Sequence, residues 1–161
     1  NRSQARNFKA NHGRISLEIQ EPALTDEIMD LYDRFHAERS YSRDWPAKED
    51  EDAFSFDCSF LDNPFPVEQW MYRENGRLCG VGYVDGLKCG LSAIYFFHDP
   101  NFYSHGIGIW NVMSLINEAK RRGLPHVYMG YYVKGCQSLE YKAGFKPNEI
   151  LSLAGKWVPY S

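Results

Sequence analysis

LSAIYFFHDPNFYSHGIGIWNVMSLINEAKRRGLPHVYMGYYVKGCQSLEYKAGFKP, residues 91–147, decides the fold. The apolar run Ile94-Tyr95-Phe96-Phe97 has the length and composition of a strand and stops at His98-Asp99-Pro100. A loop leads to Gly106-Ile107-Gly108. Ile109, Val112, Met113, Leu115, Ile116 and Ala119 then recur at helical spacing, and Lys120-Arg121-Arg122-Gly123 carries the cations and glycine of a helix end. A further strand is expected from His126 to Tyr131, with a short helical segment after it. Strand, glycine loop, helix, strand is an arrangement in which free helix N–H groups can meet a phosphate-bearing ligand.

Outward from this unit, Ile15, Leu17 and Ile19 alternate with Ser16 and Glu18, a half-buried strand. Thr25 is an N-cap with Asp26 and Glu27 in the favoured first turn, and Ile28, Leu31, Tyr32 and Phe35 mark a helix running to about Arg39. The acidic block Glu49-Asp50-Glu51-Asp52 is expected to open a second helix. Val67–Arg73 and Arg77–Val84 read as strands joined by the hairpin dipeptide Asn75-Gly76. Asp85-Gly86 marks the next turn, Cys89–Phe97 the third strand of the series, and Ile150–Ala154 a last short strand. Residues 1–13 read as a basic lead-in and 14–161 as one domain.

Bulk properties narrow the classes. At 161 residues, 43% hydrophobic and 16% aromatic, the chain can bury a core. A net charge of −3 gives no global signature of a nucleic-acid binder, although Arg2, Arg6, Lys9 and Arg14 make the start basic and could meet phosphate. Cys58, Cys79, Cys89 and Cys136 form no CxxC pair, so no metal centre is expected, and Cys79 and Cys89 read as small core residues. No apolar run is long enough to span a bilayer. A reducing, cytoplasmic setting is expected. The start at Asn1, not Met, leaves open whether this is a fragment of a longer protein.

The element order resembles that of the GNAT-type N-acyltransferases: an α/β (α+β) fold with a mixed, mostly antiparallel sheet splayed between its central strands and flanked by helices. In that fold an acyl donor lies in the gap. The acetyl-CoA signature (Arg or Gln, two residues, Gly, one residue, Gly or Ala) falls here on Tyr103-Ser104-His105-Gly106-Ile107-Gly108; both glycines are present and Tyr103 replaces the cation or amide. Beside the gap, Asp99 could accept a proton or start a turn, and His98 or His105 could act as a base. Tyr95, Phe97, Tyr128, Tyr131 and Tyr132 are expected to face the gap.

A denser resemblance lies in four segments: Leu91–Pro100, Glu118–Pro125, Tyr128–Cys136 with its GYYVKGC, and Tyr141–Pro147, YKAGFKP. These resemble the C-terminal domain of the aminoacyl-tRNA–protein transferases, arginyl in eukaryotes and leucyl in bacteria. The resemblance implies transfer of an aminoacyl group from tRNA to the N-terminal amine of a protein beginning with Asp or Glu, feeding the N-degron route. It implies aminoacyl-tRNA as co-substrate and no cofactor. From it we take Asp99, Tyr95 and Tyr131 as catalytic candidates, and His105, Gly106, Gly108, Lys134, Tyr141 and Lys142 as substrate-binding ones. The family's loop Arg is His105 here, its Ser and Thr near the loop glycine are Gly106 and Ile109, and its cysteine-rich N-terminal domain has no counterpart in this sequence. Two alternatives stand beside this reading: an acyl-CoA-dependent N-acyltransferase, and a non-catalytic adaptor of the same fold.

Overall fold

A computed structural model describes residues 2–43, 45, 53–61 and 64–160. The expected helix start at Glu49–Asp52 lies outside these residues. The elements are α1 (Arg2–Asn11), β1 (Ile15–Gln20), α2 (Asp26–Arg43), α3 (Ala53–Phe60), β2 (Val67–Glu74), β3 (Arg77–Leu87), β4 (Gly90–His98), a 3-10 helix (Pro100–His105), α4 (Ile107–Arg121), β5 (His126–Tyr128), α5 (Gln137–Glu140), a second 3-10 turn (Tyr141–Gly144), β6 (Glu149–Leu151) and β7 (Trp157–Pro159).

Five strands form one sheet in sequence order, antiparallel throughout except for β4 and β5, while β6 and β7 make a separate pair. The β2–β3 hairpin closes through Asn75 and Gly76, both at positive φ, as a tight two-residue turn requires. The turn expected at Asp85-Gly86 is absent. β3 runs through both residues to Leu87, and the reversal comes at Lys88-Cys89. Cys89 is therefore exposed, not a core residue, whereas Cys79 is buried. Within the basic lead-in, Arg2–Asn11 is helical and packs on α4 and the first 3-10 helix.

Each face of the sheet carries its own core. Ile15, Trp70, Tyr72, Leu91, Ile107, Trp110 and Leu115 pack between the sheet and α4. Ile28, Leu31, Tyr32, Phe35, Phe56, Met71, Val81, Tyr83 and Phe97 pack between the sheet and helices α2 and α3. On α4, buried Asn111 completes the first core by accepting a hydrogen bond of 2.8 Å from the Tyr72 hydroxyl.

The feature that positions a site is the parting of β4 from β5. They pair only over Gly90–Ser92 with His126–Tyr128. Just beyond, Tyr83 faces Tyr95 while Val84 faces Ala93, so Ile94 is an extra residue that bulges β4 at the point of separation. A bulge bends and twists its strand. The Asp99 N–H donates to the Cys79 carbonyl on the β3 side. Strand alternation then turns the backbone groups of Phe96 and His98 toward the open edge.

Gly90 is the hinge-pin of this splay. A Cβ there would lie 2.6 Å from the His126 carbonyl oxygen and 3.0 Å from the Tyr128 ring. Gly90→Ala must push the two strands apart where they still pair. A loss of about 1–3 kcal/mol is expected, as for other overpacked sites. Thermal unfolding of the variant checks this; an unchanged melting temperature would show that the junction yields freely.

Candidate functional site

The site is the open end of the sheet, where β4 runs into the glycine loop and the chain after β5 forms the opposite wall. Asp99 sits at the corner, fully buried. One carboxylate oxygen accepts from the Asn101 backbone N–H at 2.9 Å and the Asn101 side-chain amide at 2.8 Å. The other accepts from Arg34 of α2 at 2.9 Å and from Arg77 at the start of β3. The same carboxylate thus caps the 3-10 helix and ties three elements together. Burial alone would raise its pKa, but the bonds from Asn101, Arg34 and Arg77 outweigh burial and hold it at about 2. A carboxylate so saturated is a poor proton acceptor at neutral pH. The turn-starting role considered for Asp99 fits its surroundings better than the catalytic one.

Tyr95 is placed differently. It projects from β4 one residue past the bulge, half-buried, against the α2–α3 side. Its ring stacks on Phe60 at 5.1 Å, and its hydroxyl lies 3.0 Å from His36 Nε2. With the His36 ring protonated on Nδ1, the phenol donates to Nε2. His36 had no motif to mark it in the sequence; only its position one helical turn after Tyr32, which its ring contacts at 4.3 Å, places it on the buried face of α2.

His98 is buried among Phe35, Phe96 and Tyr103. Its Nδ1–H donates to the Asp99 carbonyl at 3.0 Å. Burial lowers its pKa more than this bond raises it, so the ring is neutral at pH 7. Phe97, expected to face the gap, is instead enclosed in the α2–α3 core.

Around this corner lies a basin of cations that sequence reading missed. Arg34, Arg39 and Arg43 come from α2, and Arg77 from the hairpin. Arg39 lies over the Phe35 and Tyr103 rings at 5.0 and 5.6 Å, and Arg43 donates to the Tyr103 hydroxyl at 3.0 Å. Asp99 is shared by Arg34 and Arg77, and Glu38 lies 3.7 Å from Arg39, so part of this positive charge is offset. Arg39 and Arg43, one helical turn apart on α2, were the available signal, hidden because the hydrophobic face was the stronger pattern; Arg34 had none.

In the glycine loop, Gly106 adopts φ 60°, ending the 3-10 helix and starting α4 with no side-chain cap hydrogen bond. The first N–H groups of α4 are left for a ligand or solvent. A Cβ at Gly108 would meet nothing within 4 Å, so space is open there. A Cβ at Gly106 would lie 2.5 Å from the Asn7 amide nitrogen. That amide is engaged: Asn7 donates to the carbonyls of His105 at 3.1 Å and Gly106 at 2.9 Å, and Asn11 donates to His105 at 3.0 Å. The loop is therefore held from α1. The His105 ring packs edge-on to Phe102 at 5.4 Å, and its buried Nδ1 has no partner among the described residues.

The remaining candidates lie on the other wall. Tyr131 is 88% exposed, and its carbonyl accepts from Lys142 Nζ at 2.9 Å. Lys142 is half-buried and its pKa is lowered by that burial. Lys134 is exposed and Tyr141 is 41% exposed. The strand expected to reach Tyr131 ends at Tyr128, so Gly130–Lys134 continue as irregular chain. The structure thus brings Tyr131 and Lys142 together on one wall and leaves Tyr95, Asp99, His105, Gly106 and Gly108 on the other. Gln4 of α1 donates to the Gly144 carbonyl at 2.9 Å and links the two. Among the described residues no cluster of three or more metal-ligating side chains occurs, and no helix is long and apolar enough to cross a membrane.

The family model described as "Arginine-tRNA-protein transferase, C terminus" matches residues 27–152. An aspartate/glutamate leucyltransferase of Pseudomonas fluorescens is 36% identical over 162 aligned residues, covering 98% of this chain and 65% of that protein. One of Campylobacter jejuni is 36% identical over 135 residues, 83% of this chain and 56% of that protein. The chain thus spans less than two thirds of the length of these relatives. Among solved structures, the ribosomal-protein-S18-alanine N-acetyltransferase of Escherichia coli superposes with a TM-score of 0.56 at 13% identity, covering 89% of this chain and 94% of that one. That likeness is one of fold: a splayed acyltransferase sheet.

Proposed function

Because the chain belongs to the family of arginine-tRNA-protein transferase C-terminal domains, we propose that it forms the catalytic part of an aminoacyl-tRNA–protein transferase, moving leucine from tRNA to the N-terminal amine of a protein that begins with Asp or Glu. The leucyl donor and acidic acceptor follow the names of its relatives. The product would enter the N-degron route in the cytoplasm.

The reaction is aminolysis of an activated ester. The amine nitrogen bonds to the ester carbonyl carbon, and the bond from that carbon to the ribose oxygen of the terminal adenosine breaks. One proton must leave the amine and one must reach the departing ribose oxygen, so the exchange balances without a cofactor. Most of the rate enhancement then comes from positioning and proton handling.

The observation that carries this reading is the Tyr95–His36 pair, 3.0 Å apart, beside the point where β4 has left β5. The phenol takes the amine proton as His36 takes the phenol's, and the pair returns a proton to the ribose oxygen. The outward-turned backbone of Phe96 and His98 can hydrogen-bond the extended aminoacyl ester. The guanidiniums of Arg34, Arg39 and Arg77, partly offset by Asp99 and Glu38, still favour an acceptor with an acidic side chain. Lys134, Tyr141 and Lys142, with Tyr131, line the wall past which the terminal nucleotides run, and the first N–H groups of α4, from Ile107 on, suit a phosphate.

Transfer of labelled leucine and, in parallel, arginine from charged tRNA to peptides starting with Asp, Glu or Ala tests the proposal with the full-length protein. Leucine transfer to the Asp and Glu peptides alone is expected. Transfer of an acetyl group from acetyl-CoA in place of either amino acid would overturn it.

A further inference from the structure

The inner face of α1 holds the glycine loop, and its outer face has a different character. Gln4, Asn7 and Asn11 fall on one side of the helix and hold the glycine loop and Gly144. Arg2, Arg6 and Lys9 fall on the other. At 100° per residue these three lie within about 60° of arc, half a turn from the amide face, in a row about 10 Å long. All three are exposed, and none forms an ion pair with a described residue. Residues 2–11 contain no acidic side chain. In a chain of net charge −3, such a row is a local excess of positive charge set against the overall balance.

Intramolecular duty does not account for the row. Phe8 packs on Trp110 at 5.3 Å and the amides hold the loop, so α1 is docked without its cations. Three unpaired cations at i, i+4 and i+7 on a docked helix form a fixed ridge beside the mouth of the cleft. A polyanion with closely spaced charges complements such a ridge, and the phosphate backbone of a nucleic acid has that spacing.

We propose that the outer face of α1 is a docking ridge for the phosphate backbone of the donor tRNA, with Arg2, Arg6 and Lys9 as its contacts; this rests on the transferase reading. The ridge reads no sequence. It sets where the acceptor stem lies relative to the glycine loop, which the opposite face of the same helix holds. One rigid element, about 10 Å across, therefore links backbone docking to placement of the aminoacyl end.

The test is the triple variant Arg2→Gln, Arg6→Gln, Lys9→Gln in the full-length protein, with Lys88→Gln at the far β3–β4 turn as a control. Steady-state kinetics with leucyl-tRNA and an Asp-starting peptide should show KM for tRNA raised about tenfold, with kcat and KM for the peptide near wild type. Loss of three phosphate contacts lowers the slope of log affinity against log salt by about 2.7, so the variant's tRNA affinity should vary about 40-fold less than wild type between 50 and 200 mM salt. Binding of uncharged tRNA, followed by fluorescence anisotropy, gives that slope independently of turnover. If wild type transfers nothing, the transferase reading fails and the anisotropy slope still decides the ridge. If wild type binds and transfers but the triple variant keeps its KM for tRNA and its salt slope, the ridge is wrong. A rise in peptide KM alone would assign the face to the acceptor and equally overturn the proposal.

Discussion

Tyr95→Phe is expected to lower kcat for aminoacyl transfer by about 100-fold or more while leaving KM for tRNA and peptide nearly unchanged. General acid–base groups contribute about 10²–10⁴ in rate, and removing the phenolic oxygen breaks the route from the amine to His36. The substitution keeps the ring that packs on Phe60 and Tyr32, so the fold is preserved. His36→Gln is the companion. A glutamine oxygen can still accept from the Tyr95 hydroxyl and hold it in place, but it cannot carry the proton onward. Equal kcat losses in the two single variants and no further loss in the double variant would establish one proton route. A Tyr95→Phe enzyme with full kcat would remove the pair from the mechanism and leave the amine's proton to another acceptor.

The second large effect is on stability. Asp99→Asn keeps shape but places an amide N–H group where a carboxylate oxygen now faces a guanidinium. Arg34 and Arg77 lose a charged acceptor, and the junction of α2, β3 and β4 loses its tie. Bonds to charged groups are worth about 1.5–3 kcal/mol each, but both arginines are half-exposed and regain water, so a net loss of about 2–4 kcal/mol is expected. For a chain of this size that is a fall of roughly 4–15 °C in melting temperature.

The same residue predicts the acid limb. Its folded pKa of about 2 lies below the ordinary 3.8. The unfolded chain therefore binds the proton first as pH falls. The stability that Asp99 contributes is complete above about pH 4 and is lost as pH drops toward 2. Glu118 behaves alike: bonds from Arg121 and Arg122 hold it at about 2 against an ordinary 4.5. Melting temperature measured from pH 5 to pH 2 should fall steeply for wild type and less steeply for Asp99→Asn. Parallel curves would mean that Asp99 carries no such linkage.

The contrast between Tyr95 and Asp99 shows why the candidate site was only half legible. Both were visible as polar residues at the end of an apolar strand. Their surroundings come from elsewhere: His36 and Arg34 from α2, some sixty positions earlier, and Arg77 from the hairpin. No local periodicity reports that an imidazole will meet a phenol or that two arginines will close on one carboxylate. The cationic basin and the amide clamp of α1 were hidden for the same reason. Asn7 and Asn11 matter only because folding brings the carbonyls of residues 105 and 106 against them.

What the sequence by itself determined is what short-range physics encodes. Alternation set β1, an apolar run set β4, Asn75-Gly76 set the β2–β3 hairpin, and helical spacing set α2 and α4. The four segments from Leu91 to Pro147 pointed to the family. Tertiary structure alone decided that β3 continues through Asp85-Gly86 to Leu87, because pairing with β4 on one side and the Gly86 N–H bond to Pro66 outweigh local turn preference. It alone decided that β5 stops at Tyr128, because β4 bends away at the Ile94 bulge and leaves no partner to prolong it. And it alone turned a basic lead-in into a helix that holds the glycine loop, since a ten-residue helix is marginal in water and becomes stable only where Phe8 meets Trp110 and the side-chain amides find buried carbonyls.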